Sequence, residues 1–141
     1  MTATNQITQY GEQRALQLLF GNATQTSAPT VYLALATADP GTTALTMAAV
    51  TEVSTSGTGY ARQAFGPGTA TSASPSVISN AGTITFGPFT STVSGIIVAV
   101  LCDASTGTTA NVIGVVNLAT SRSPVSGDSL VAAAGAFTWS W

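Results

Sequence analysis

The pattern of apolar and polar positions is clearest past the middle of the chain. Gly95-Ile-Ile-Val-Ala-Val-Leu-Cys-Asp103 is apolar and β-branched, Ala104-Ser-Thr-Gly-Thr-Thr109 is small and polar, and Ala110-Asn-Val-Ile-Gly-Val-Val-Asn-Leu118 is apolar again. Branched side chains suit a pleated surface, and Gly107 can adopt the backbone angles of a tight loop, so this stretch predicts a β-hairpin. The first run has no polar face: Ile96, Val98, Val100 and Cys102 alternate with Ile97, Ala99 and Leu101. Such a strand is expected to be covered on both sides.

Elsewhere the pattern is broken into short pieces. A helix is expected from about Gln6 to Phe20, with Ile7, Gly11, Ala15 and Leu18 or Leu19 at helical spacing. Thr4 or Asn5 could cap its start and Gly21 its end. After a polar linker over residues 22–29, Thr30-Val-Tyr-Leu-Ala-Leu-Ala-Thr37 reads as an interior strand that Asp39-Pro-Gly41 terminates. Residues 42–57 are ambiguous, with a helical turn or loop over 44–50 and a short strand at 50–53. Further strands are expected at Tyr60–Phe65, Val77–Ile78, Thr83–Phe86, Ser129–Ala134 and Ala136–Trp141. In the last of these, Phe137, Trp139 and Trp141 share a face. Residues 66–76, which hold Pro67 and Pro75 among Ser, Thr, Ala and Gly, and residues 120–127 read as loops. About eight strands with one N-terminal helix predict a single all-β domain, a β-sandwich or jelly roll.

Composition narrows what that domain can do. The chain has 141 residues, enough for one real core, and 45% of them are hydrophobic. Only 6% are charged, against roughly a quarter in ordinary proteins. Little electrostatic repulsion keeps copies of such a surface apart, which suits packing among copies or against a partner. The net charge is −2, and the cations Arg14, Arg62 and Arg122 are scattered, so nucleic-acid binding is not expected. No apolar run approaches the ~20 residues of a membrane helix, and the first residues lack the pattern of a signal peptide. The sequon Asn22-Ala-Thr24 is read as chance.

Candidate chemistry is sparse. There is no His and one Cys, so Ser-His-Asp, Cys-His and His/Cys zinc arrangements are excluded within one chain. Cys102 ends an apolar run beside Asp103 and is expected to be a buried, inert thiol. Asp39, Asp103 and Asp128 stand where side-chain oxygens close turns, and nothing in the spacing of the acids marks a catalytic pair. No enzyme activity, cofactor or metal is expected.

Several segments, taken in order, carry a resemblance. They are Val31-Tyr-Leu-Ala-Leu-Ala-Thr-Ala-Asp-Pro40, Gly59-Tyr-Ala-Arg-Gln63, Thr83-Ile-Thr-Phe86, Leu101-Cys-Asp-Ala-Ser-Thr-Gly107, Gly127-Asp128 and Ala132-Ala-Ala-Gly-Ala136. With the helix ahead of them, they resemble a family of small tailed-bacteriophage virion proteins labelled as tail fibre, minor capsid or head decoration proteins. Trp139-Ser-Trp141 departs from the smaller residues expected at that end. The resemblance implies a structural protein of the virion, made in the bacterial cytoplasm. The main expectation is a capsid decoration or cement protein on the head surface, a trimer that ties copies of the major capsid protein together. Alternatives are a tail fibre or receptor-binding tail protein, and a carbohydrate-binding β-sandwich that would need exposed aromatics such as Tyr60 or Trp141. Candidate interface residues are Tyr10, Arg14 and Leu18 on the helix, Arg62, and the terminal Trp139 and Trp141, since aromatics and Arg anchor interfaces. For Trp139 core packing is the competing expectation, and Arg62 could pair with an acid internally or across subunits.

Overall fold

The doubly apolar run forms the centre of the molecule. The computed structural model describes residues 5–21, 29–43, 46–72 and 74–140. In chain order its elements are β1 (Asn5–Ile7), α1 (Gln9–Leu19), β2 (Tyr32–Ala36), β3 (Gln63–Ala64), β4 (Val77–Ser79) and β5 (Ile84–Phe86). They continue with β6 (Ile96–Cys102), β7 (Val112–Arg122), β8 (Leu130–Ala132) and β9 (Thr138–Ser140), and a single 3₁₀ turn spans Met47–Ala49. A five-stranded sheet runs β1-β7-β6-β2-β3 with every neighbour antiparallel, and β6 lies in its middle. The ribbons β5–β8 and β4–β9 form the second layer, so the fold is an all-β sandwich with an N-terminal helix.

The two faces of the sheet are filled differently. Towards the ribbons, Leu33, Leu35, Ala99, Leu101 and Val116 pack with Ile84, Phe86, Phe89, Phe137 and Trp139. On the opposite face the small side chains Ala34, Ala36, Val98, Val100, Cys102, Val112 and Val115 meet Met47, Val50 and Ala110. Period-2 alternation along β2 therefore sorts leucines to one side and alanines to the other. Ile96 departs from the expected face and joins the larger cluster. The β6–β7 register jumps from Val98↔Asn117 to Ile96↔Arg122, which turns the strand over and leaves Ile97 exposed.

The start of the chain differs from the expected helix. Residues 5–7 pair with Val116, Val115 and Gly114 of β7, so the helix begins only at Gln9 and Thr8 is its cap. Thr8 is fully buried. Its Oγ1 accepts from the Gly11 N–H (3.2 Å) and donates to the Val112 carbonyl, with the Ile113 carbonyl at 3.1 Å. Its N–H donates to Ile113 O at 3.0 Å. Those acceptors are available because Leu101 pairs with Gly114 and Cys102 with Val112, leaving Ile113 as the extra residue of a bulge. Gly11 permits the approach: a Cβ there would stand 2.4 Å from Ile113 O. At the other end the expected cap holds, with Gly21 at φ 70° and its N–H on Leu18 O (3.4 Å).

The strand expected at Tyr60–Phe65 shrinks to β3, because side chains rather than ladder bonds fix the residues ahead of it. Residues 46–53 contain both features weighed for them, the Met47–Ala49 turn and a bridge from Glu52 to Ala36. Replacing Thr8 by Val should lower unfolding stability by about 1–2 kcal/mol, and Thr8→Ser by clearly less, because serine keeps the cap. Urea titration measures both; a serine variant that loses as much as the valine variant would show that the methyl group matters as much as the hydroxyl.

Candidate functional site

Arg62 turns inward and pairs with an acid of its own chain. Its Nε and Nη2 donate to the two oxygens of Glu52 at 2.8 and 2.7 Å, a bidentate pair. Nη1 donates to Ala104 O and Nη2 also to Gly107 O, both at 2.9 Å. The guanidinium thus ties the β6–β7 loop to the residues that follow the Met47–Ala49 turn. Tyr60 completes the cluster: its hydroxyl donates to Glu52 Oε1 and accepts from the Leu35 N–H, each at 2.9 Å. The bond to Glu52 holds the Arg62 guanidinium protonated beyond the ordinary arginine range. Burial, reinforced by the Glu52 charge, pushes the Tyr60 phenol well above its usual pKa. Beside it, burial raises the Cys102 thiol, whose Sγ contacts Ala104 O at 3.4 Å.

Trp139 is also interior. Its ring meets Phe65 edge-on at 5.1 Å, and its indole covers Gly114, where a Cβ would lie 2.6 Å from Nε1. Core packing, the competing expectation for this residue, describes its place. Trp141 lies outside the described residues, as does the sequon at residues 22–24. The three aspartates close turns as expected. Asp39 accepts from Gly41 N–H and Asn117 Nδ2, Asp103 from the backbone and side chain of Asn111, and Asp128 from Val125 N–H. Among the described residues no three His, Cys, Asp or Glu side chains converge, and no helix is long and apolar enough to cross a membrane.

The surface candidates that remain sit on α1. Tyr10 is half-buried, while Arg14 and Leu18 are exposed. Leu16, Leu19 and Phe20, which were not among the interface candidates, are more exposed still, at 50, 73 and 81%. The signal was present in Leu18-Leu19-Phe20: three consecutive residues point about 100° apart around a helix, so one core cannot bury them all. The helix docks through its first turns, at Thr8 and Gly11, and its last turn stands clear with apolar side chains.

A second apolar surface lies where β7 outruns β1. It is a groove of about 490 Å³ between the far half of β7 and β8, floored by Leu35, Phe86, Val116 and Phe137. Leu118, Leu130 and Val131 line its sides, with Val131 64% exposed, and Arg122 is the one charged residue of its wall.

The buried cluster makes two predictions. Glu52→Leu should cost about 3–5 kcal/mol in urea unfolding, because it strands a buried guanidinium; a loss under 1 kcal/mol would show the pair to be dispensable. The native state keeps Tyr60 protonated where an unfolded chain would release the proton. Stability is therefore full below about pH 10 and falls as pH rises beyond it. This alkaline fall should be smaller in Tyr60→Phe, measured by denaturation at matched pH values.

Residues 6–140 match the family model described as podophage GP4 fiber I protein gp80. No curated protein matches the chain. The match takes in α1, the whole sandwich and both apolar surfaces, and the chain belongs to this family of podophage fibre proteins, structural proteins of the tailed-phage virion.

Proposed function

We propose that the chain is a structural subunit of a tail fibre, without catalytic activity, that assembles with copies of itself as a trimer. What supports this reading is the family's description as a fibre protein, which covers nearly the whole chain. The surface is consistent with it. A fibre subunit must meet identical neighbours, and a chain that is 6% charged offers them little repulsion. The exposed apolar end of α1 is the kind of surface that assembly covers. Association then stabilises each subunit by mass action, since only the folded chain presents these surfaces.

Composition suits a head decoration protein equally well, so the family description is what turns the reading from head to tail. A capsid clamp would make the major capsid protein the partner; a fibre subunit makes other copies the partner. The carbohydrate-binding reading loses Tyr60, one of its two aromatic candidates, because that ring is buried against Phe86 and hydrogen-bonded at its hydroxyl.

Antibody-gold labelling of intact virions tests the placement. Gold confined to the tail or its appendages is the expected result. Gold distributed over the head would overturn the fibre reading and return the protein to capsid decoration.

A further inference from the structure

The two apolar surfaces of this chain lie on different elements, and no α1 residue lines the groove. The geometry points to a head-to-tail contact between copies, in which the α1 end of one subunit seats in the β7–β8 groove of the next. This rests on the reading of the chain as a self-assembling subunit and names the contact through which it assembles.

Symmetry supplies the first argument. Identical chains in a ring of three can touch around it only heterologously, so each copy must carry two different, complementary patches. The described residues offer such a pair. Leu16, Leu19 and Phe20 form a protruding apolar end, and the groove is a concave apolar seat. Its volume falls in the range of about 300–1,000 Å³ that buries a sizeable apolar group, so an aromatic and a leucine side chain can enter together.

Charge supplies the second. The last turn of α1 has no basic residue, so the negative pole of the helix is not neutralised by its own side chains. Arg122 stands in the groove wall with no acidic partner among the described residues. A helix end entering the groove brings its carbonyl pole to that guanidinium. Val131, exposed at the rim in the isolated chain, becomes covered by the same step.

Sedimentation of purified full chains tests the contact. One variant carries Leu19→Glu and Phe20→Ser; another carries Val131→Glu in the groove. All three changed side chains are exposed, and unchanged melting curves verify the folds. Wild type should be oligomeric, each variant alone monomeric, and an equal mixture of the two should form dimers, because one intact helix end then meets one intact groove. Arg122→Gln, a milder second probe of the groove, should weaken association roughly two- to fivefold. If the groove variants assemble like wild type while the helix variant does not, the helix ends meet each other and the proposal is overturned. Assembly by both variants, or no dimer in the mixture, also overturns it. A wild-type chain that stays monomeric at every concentration would instead overturn the self-assembling reading itself.

Discussion

A strand with no polar face cannot lie at a surface, and β6 is such a strand. Everything around it follows from covering both sides at once. The ribbons β5–β8 and β4–β9 bring Phe86, Phe137 and Trp139 to one face, where the sheet presents leucines. The other face presents alanines, valines and Cys102, and a single 3₁₀ turn carrying Met47 closes it with Val50 and Ala110. The thick layer lies where the side chains are large, and the thin one where they are small. A sandwich with unequal halves is the result, and the dense packing of each half leaves little room for substitution.

The buried polar groups act on this frame as fasteners between segments distant in sequence. Arg62 joins Glu52 to the carbonyls of Ala104 and Gly107, and Thr8 joins the helix to the bulge at Ile113. Asn80 does the same for the turn before β9: its Nδ2 donates to Gly82 O and Ala133 O, and its Oδ1 accepts from Phe137 N–H. Each of these side chains is buried, and each has its polar atoms paired with carbonyls, carboxylates or amides of other segments. They set the positions of loops that carry too few apolar residues to position themselves.

Local chemistry made much of this legible in the sequence. The hairpin, the β2 strand, the aspartate turns and the Gly21 cap all depend on residues a few positions apart. What was not legible depends on partners far away. Nothing near Asn5–Ile7 announces a strand, since the pairing it makes is with β7, and so the cap moved from Thr4 or Asn5 to Thr8. For Arg62 an internal partner and one on another subunit could not be told apart, because its acceptors belong to other segments, two of them carbonyls, which carry no sequence signature. The groove is a gap between two strands and has no motif at all. The apolar end of α1 was readable from Leu18-Leu19-Phe20, yet a helical-spacing search favours the residues on one face and passes over those that leave it.

The bond from Thr8 to Val112 spans 104 positions of the chain. On a ribosome adding about 5–20 residues per second, the segment ahead of α1 waits several seconds for its acceptors to emerge. The groove waits longer, because Phe137 is part of its floor. Neither the anchored helix nor the groove can be complete before the residues that hold them have been added. Long-range pairing at the N-terminus thereby ties the placing of the first strand and the helix to the emergence of β7.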